Sequence, residues 1–185
     1  MNKSLMISIQ PKHLVNILNG TKTLELRKSI PKEYEGWVNL YCTINGDNLV
    51  YNDKSYQLEK GKRLNYDLNG KVVARFWFDE YIAYKYYEDD NSYFAKRPQD
   101  FGYGAEEVLE RLCLSRDEFK AYGKGKDLYA WHIKKLEIFD EPKSLSDFYK
   151  ATLYYSWRLQ KAPQSWQFVY TKELENESNR KRKTV

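Results

Sequence analysis

Cysteine is scarce in this chain of 185 residues, which contains only Cys42 and Cys113. Neither has another cysteine or a histidine nearby at the spacing of a metal-ligand set, so the sequence predicts neither a structural zinc site nor a disulfide framework. Cys42 lies in an apolar run and is typical of a core residue. We therefore expect a fold stabilised by its apolar core, with no metal and no cofactor.

Long hydrophobic runs are also missing. No stretch approaches the about 20 apolar residues that cross a bilayer as a helix. The first eleven residues are mixed in character and do not resemble a secretory signal. These absences favour a cytoplasmic protein that has no membrane partner.

Charge and aromatic side chains are plentiful. The net charge is +5 and aromatic residues make up 16% of the chain, which permits an anionic partner without requiring one. Four consecutive basic residues occupy positions 180–183. Such a run is typical of a solvated tail, and we expect residues 172–185 to be a flexible basic segment that adds non-specific attraction to phosphate.

The remaining 171 residues are predicted to form one domain with two insertions, near residues 45–69 and 84–126. Alternating apolar residues predict strands over 5–9, 23–28, 37–43, 71–81, 127–139 and within 163–170. Helices are predicted from Pro11 to the Asn19-Gly20 pair, over 105–112, after Ser115 and over 145–149. Residues 50–68 read as a hairpin or loop, and residues 84–100 as a loop. Many strands and few long helices indicate a small, mostly antiparallel barrel or sandwich.

One segment contains most of the candidate functional residues. Gly20, Lys22, Glu25 and Arg27 fall within a predicted helix end, a tight turn and a strand. Alternation along that strand places Glu25 and Arg27 on the face opposite Leu24 and Leu26. On spacing alone, this face would meet solvent, with its charges paired to neighbours.

The spacing Gly-x-Lys-x-x-Glu-x-Arg resembles the signature of the ASCH family. Its setting is similar too: a strand, a helix opened by Pro11, the motif and then a strand over 38–42. Residues 129–133 resemble the family's barrel-closing strand, 145–148 resemble the segment after it, and 162–166 are similar to the Pro-Gln-Ser-Trp element of phage-associated members. The resemblance implies an α+β fold, a PUA-like β-barrel with short helices in its connections and a cleft lined by the motif. It also implies RNA, a nucleotide or a modified nucleoside as partner.

The motif residues suit either binding or catalysis. Lys22 offers a compact cation for phosphate, or a base or nucleophile, and Glu25 a general base or an acceptor for an amino group. Arg27 presents a planar fork to phosphate or carboxylate. Thr23 could orient its neighbours, and Trp166 could stack on a base or fill the core. We expect His13 and His132 to be structural.

Three functions remain open on the sequence. The first is an RNA- or nucleotide-binding domain that uses Lys22, Thr23, Glu25, Arg27 and Trp166. The second is a metal-independent hydrolase, a ribonuclease or a modified-nucleoside amidohydrolase, in which Lys22 and Glu25 are catalytic. The third is a protein–protein adaptor that uses the two insertions.

Overall fold

The structure is a computed structural model, which describes residues 2–96, 104–151 and 156–171. The predicted basic tail, 172–185, lies outside the described residues. In chain order the strands are β1 (Asn2–Ile9), β2 (Leu24–Arg27), β3 (Gly36–Cys42), β4 (Asn48–Asn52), β5 (Ser55–Glu59), β6 (Val72–Phe78), β7 (Tyr81–Tyr87), β8 (Ser92–Ala95), β9 (Leu128–His132), β10 (Lys134–Lys143), β11 (Phe148–Ala151), β12 (Ser156–Arg158) and β13 (Trp166–Thr171). The α-helices are α1 (Pro11–Leu18), α2 (Ala105–Leu112) and α3 (Arg116–Gly123).

The strands form three sheets. The largest has seven strands in the order β10-β6-β3-β1-β13-β11-β12, the second has the order β2-β9-β7-β8, and β4 and β5 pair as a hairpin. Strands β1 and β3 pair in parallel, with Leu5 opposite Val38, and the other pairings among the described strands are antiparallel. The parallel pair follows from α1, which carries the chain away from β1 before it returns.

The helix boundaries follow local sequence signals. Pro11 occupies the first turn of α1, where its missing N–H removes no intrahelical hydrogen bond. Ser115 caps α3 by accepting from the backbone N–H of Glu118, and the Glu118 side chain accepts from the backbone N–H of Ser115. This capping box supplies hydrogen-bond acceptors to two backbone N–H groups that the helix end would otherwise leave unpaired, as the sequence predicted. The predicted helix over 105–112 is also confirmed as α2.

Two of the three buried clusters position the site. One joins the core-facing residues of β1, β3, β6 and α1 to Trp131 of β9, and the other lies between β2, β9 and the helices α2 and α3. Strand β2 contributes Leu24 and Leu26 to the second cluster. The leucine face of the motif strand is therefore buried by helices that come from the predicted insertion 84–126.

Two strands predicted as continuous are each divided between sheets. The strand predicted over 71–81 ends at Phe78, and after Asp79 and Glu80 the chain enters the four-stranded sheet as β7. Likewise 127–139 splits into β9 and β10, with Lys135 at a φ of +46° just after the break. A charged pair interrupts the apolar alternation near each break, Asp79-Glu80 at the first and Lys134-Lys135 at the second. The prediction of single strands passed over these interruptions.

Three further predictions need correction. Residues 84–100, predicted as a loop, include the hairpin β7–β8, whose pairing sets Tyr86 opposite Tyr93. The strand predicted to end at residue 139 continues as β10 through Pro142 to Lys143. Strand β10 is the outermost strand of its sheet, where the missing N–H of a proline is tolerated. The helix predicted over 145–149 is a 3₁₀ turn, Leu145–Asp147, followed by β11.

The architecture is α+β, with mostly antiparallel sheets and short helices in the connections, as the sequence predicted. Among the described residues, the strand pairings define open sheets rather than a closed ring. Residues 50–68 contain the predicted hairpin. No helix in the described ranges is both long and apolar enough to span a bilayer.

Candidate functional site

A tight turn connects α1 to strand β2 and carries the first residues of the charged motif. Gly20 adopts a φ of +77°, a conformation that glycine accommodates without steric cost. The backbone N–H groups of Thr21 and Lys22 both donate to the carbonyl of Asn16, at 2.9 and 3.0 Å. The turn therefore fixes where Lys22 leaves the helix end.

Lys22 is buried, with its side chain only 2% exposed. Its Nζ donates to the carbonyl oxygen of Leu112 at 2.7 Å and lies 3.5 Å from Glu25 Oε2. Leu112 is the last residue of α2, so Lys22 binds one of the carbonyls that a helix end leaves unpaired. A cation is favourable at this negative end of the helix dipole.

Glu25 and Arg27 complete a buried cluster with Lys22. Arg27 Nη2 lies 2.9 Å from Glu25 Oε1 and donates to the Ser8 carbonyl at 3.0 Å. Arg27 Nη1 makes a longer contact, 3.4 Å, to the carbonyl of Ser165. Arg27 Nε is buried and makes no hydrogen bond among the described residues. Arg27 thus ties β2 to β1 and to the turn before β13, and keeps an unused donor.

The expectation that this face of β2 meets solvent is wrong. All four residues of β2 are buried. Helices α2 and α3 cover Leu24 and Leu26, whereas Arg27 on the opposite face contacts β1 and the turn before β13. We refer to Lys22, Glu25 and Arg27 as the buried ion cluster. With two cations and one carboxylate, it carries an excess of positive charge in a poorly solvated position. Such an excess is costly unless a further anionic or electron-rich group is bound.

The buried ion cluster lines a cleft of about 550 Å³, within the size range of small-ligand sites. Strands β1 and β2, helices α1 and α3 and the turn before β13 surround it. Its polar lining comprises Ser8, Gln10, Lys12, His13, Lys22, Glu25, Arg27, Thr43, Glu118, Tyr122 and Gln164. The three motif side chains therefore share one cavity, in contact with other hydrogen-bonding groups.

His13, expected to be structural, lines this cleft. The pKa of His13 lies below its ordinary value, chiefly because burial disfavours the charged form and secondarily because Lys22 is near. A neutral imidazole can accept as well as donate a hydrogen bond. The signal in the sequence was its position in the first turn of α1, directly after β1. By contrast, His132 lies on β9 outside the lining of the cleft.

Thr23 and Trp166 have partners outside the cleft lining. The Thr23 backbone N–H donates to the Arg111 carbonyl at 2.9 Å, and its hydroxyl accepts from Arg111 Nε at 3.1 Å. The Trp166 indole N–H donates to Ser29 Oγ at 3.0 Å, and its ring packs edge-on against Phe168. Thr23 thus joins β2 to α2 and Trp166 joins β13 to the core; their binding roles stay predictions.

The described ranges contain no set of side chains arranged to coordinate a metal ion. No group of three or more histidine, cysteine, aspartate or glutamate side chains there could hold a metal ion. The chemistry available in the cleft is hydrogen bonding, ion pairing and proton transfer by Lys22, Glu25 and His13.

Comparison with known proteins identifies the fold of this chain. No family model and no curated protein matches the chain. Among solved structures, the ASCH protein of Zymomonas mobilis superposes with a TM-score of 0.53 at 15% sequence identity, covering 96% of this chain and 91% of the other. This chain has the ASCH-domain fold. Two single-substitution variants of the same Zymomonas mobilis protein each give a TM-score of 0.50, at 14% and 15% identity, with 96% of this chain covered.

The ASCH resemblance seen in the sequence is therefore confirmed as a resemblance of fold. In this structure the helix-turn-strand motif lies beside the turn before β13, so residues 22–27 meet the Pro-Gln-Ser-Trp segment. Arg27 contacts Ser165, and Gln164 lines the same cavity.

Proposed function

We propose that this ASCH-fold chain binds RNA or a nucleotide in the cleft lined by Lys22, Glu25 and Arg27. The observation that carries the proposal is the excess positive charge of the buried ion cluster at the wall of a ligand-sized cavity. A phosphate oxygen or a base carbonyl placed there would satisfy donors that the protein leaves unused. Nucleotides supply both kinds of acceptor.

Each member of the cluster has a separate task in this proposal. Lys22 has three ammonium donors, and its contacts to Leu112 and Glu25 leave one for a ligand. Arg27 keeps an unused Nε–H. Glu25 holds both cations in place and, as an ionised carboxylate, accepts hydrogen bonds from amino groups of bases. The cleft therefore offers donors and an acceptor side by side.

We further infer that the two larger sheets wrap around one core as a PUA-like barrel within a single domain of residues 1–171. Support comes from Trp131 of β9 and Phe78 of β6, whose ring centroids lie 4.7 Å apart in the same buried cluster although their strands belong to different sheets. Tyr81 and Tyr129 of the four-stranded sheet pack against that cluster too. A shared core of this kind holds the cleft walls in fixed positions.

Fluorescence anisotropy with a labelled single-stranded RNA, measured over a salt series, tests the proposed function. We expect Lys22→Met and Arg27→Gln to weaken binding about tenfold or more, because each removes a buried donor to the ligand. Lys60→Ala is the matched control, since Lys60 is an exposed cation outside the cleft lining. Affinity that falls equally in all three variants would mean that only overall charge matters. Unchanged affinity in the cleft variants would overturn the proposal and favour the adaptor.

A metal-independent hydrolase is the second candidate. Three groups capable of proton transfer, Lys22, Glu25 and His13, line one cavity, and Lys22 Nζ lies 3.5 Å from Glu25 Oε2. This is the proximity that general acid–base chemistry requires. Single-stranded RNA incubated in EDTA and resolved on a denaturing gel tests it. Cleavage that disappears in Lys22→Ala and Glu25→Gln would support a ribonuclease, and intact RNA with the wild type would exclude one.

A further inference from the structure

One wall of the cleft is separate from the buried ion cluster and belongs to α3. Glu118, Ala121 and Tyr122 all line the cavity, and their spacing of three and four residues puts them on one face of the helix. Phe119 and Gly123 on the other side of α3 are buried. The capping box at Ser115 fixes the start of this helix, and hence the position of the wall.

Tyr122 is partly buried at its hydroxyl group and partly exposed to solvent. The residue is 39% exposed, although it lines the cavity. Burial raises the pKa of its phenol, with Arg27 and Glu25 close enough to influence it further. Lys28 Nζ lies 5.1 Å from the ring centroid. Because Lys28 lies over one face of the ring, a planar group would stack on the other face. The ring and the buried ion cluster line the same cavity.

Gln164 faces the same cavity from a turn that is held on both sides. Ser8 Oγ donates to the Pro163 carbonyl at 2.6 Å, and Arg27 donates to the Ser165 carbonyl. Gln164 lies between these two anchored residues and is exposed, and its side-chain amide has no hydrogen bond within the described part of the chain. The anchored backbone thus presents a side-chain amide whose donor and acceptor groups are both open to a ligand.

We propose that Tyr122 and Gln164 form a base-recognition site in the cleft, in which a nucleobase stacks on the Tyr122 ring and presents its hydrogen-bonding edge to the Gln164 amide. The inference rests on the proposed function, and it specifies which residues of the cleft hold the base of the proposed RNA or nucleotide ligand. Stacking of bases on aromatic rings tolerates every base, so Tyr122 supplies affinity. Hydrogen bonding depends on the pattern of the base edge, so Gln164 supplies selectivity.

Calorimetric titration with UMP and with ribose 5-phosphate, which has the same phosphate but no base, tests the proposal. For the wild type we expect UMP to bind about tenfold more tightly. Tyr122→Ala should abolish that advantage, whereas Tyr122→Phe should retain it because the ring remains. Tyr66→Ala is the control, since Tyr66 is 64% exposed and outside the cleft lining. Gln164→Ala should reduce the differences in affinity among AMP, CMP, GMP and UMP, because the selective amide is removed.

The possible failures are distinguishable. Equal binding of UMP and ribose 5-phosphate, both lost in Arg27→Gln, would overturn the base site and leave an anion site in the cleft. Absence of binding for both compounds and for RNA would overturn the proposed function as well. If RNA alone binds measurably, the same variants are compared on RNA, and equal affinities of wild type and Tyr122→Ala would overturn the base site.

Discussion

The cleft and the outer face of the seven-stranded sheet each hold an arginine–glutamate pair at hydrogen-bond distance. In the cleft Arg27 Nη2 lies 2.9 Å from Glu25, and on the sheet Arg75 Nε lies 2.7 Å from Glu137. The side chains of the first pair are 7% and 9% exposed, and those of the second 37% and 47%. Distance alone would rank the pairs as equals, whereas burial separates them.

The surroundings of the two pairs differ as well. Arg75 lies over the Trp37 ring, 4.1 Å from its centroid, and Trp37 packs edge-on against Trp77 across the β3–β6 pairing. That arginine already has a carboxylate and an aromatic face. Arg27 shares its carboxylate with Lys22 and borders a cavity. The two pairs thus match in distance but differ in burial, in charge balance and in access to a cavity.

Glu25→Gln should produce the largest effect. The substitution leaves two buried cations without a counter-charge, and breaking a buried pair in this way costs about 3–5 kcal/mol of the free energy of unfolding. Urea unfolding followed by circular dichroism measures it. A decrease in the free energy of unfolding of less than about 1 kcal/mol would show that water solvates the cluster. The two ion pairs would then not differ in the way that their burial suggests.

Lys22→Met should cost less than Glu25→Gln, because Glu25 and Arg27 then form a balanced pair. The remaining loss is the hydrogen bond to the Leu112 carbonyl, about 1–2 kcal/mol when a buried acceptor is left unpaired. The same unfolding experiment measures it. If Lys22→Met proved as destabilising as Glu25→Gln, the cluster would be a structural network without excess charge.

Ser115→Ala should destabilise the protein by about 1 kcal/mol, although Ser115 is exposed. The side chain of Ser115 satisfies the Glu118 N–H, which otherwise loses its partner at the helix end. Thermal unfolding measures the loss, and Ser115→Asp, which also caps helices, should restore most of it. Failure of Ser115→Asp to recover stability would mean that the cap geometry is not the cause.

Glu137→Gln should have the smallest effect, below about 1 kcal/mol, because exposed ion pairs gain little in water. Salt should weaken even that contribution by screening the charges. Unfolding in low and high salt, for wild type and variant, provides the measurement. A loss that matches that of Glu25→Gln and persists in high salt would contradict the distinction between the two regions.

Much of the fold could be predicted from local signals. Pro11, Gly20 and the Ser115 cap mark helix ends and turns through short-range physics, and the structure confirms them. The breaks after Phe78 and His132 were not predicted, although Asp79-Glu80 and Lys134-Lys135 interrupt the apolar alternation there. A charged pair also occurs on the exposed side of an unbroken strand, so the change of sheet becomes clear only from the partner strands.

The candidate site was predictable only in part. The spacing of Lys22, Glu25 and Arg27 put two charges on one strand face, but their burial depends on other parts of the chain. Lys22 bonds to Leu112, 90 residues further along, and Arg27 contacts the carbonyls of Ser8 and Ser165. Tyr122 gave no local signal, and Gln164 was marked only as part of the Pro-Gln-Ser-Trp resemblance. That the two line one cavity depends on tertiary structure. His13 was visible only as a histidine near a helix start.

The most direct test follows the side-chain Nε–H signals of Arg27 and Arg75 by nuclear magnetic resonance during titration with single-stranded RNA. Arg27→Lys and Arg75→Lys identify the two signals. Because Arg27 Nε lies in the buried ion cluster and makes no hydrogen bond there, we predict that its signal shifts in a saturable way while that of Arg75, already bonded to Glu137, stays in place. A stationary Arg27 signal, with or without movement of Arg75, would contradict the assignment of the cleft as the RNA- or nucleotide-binding site.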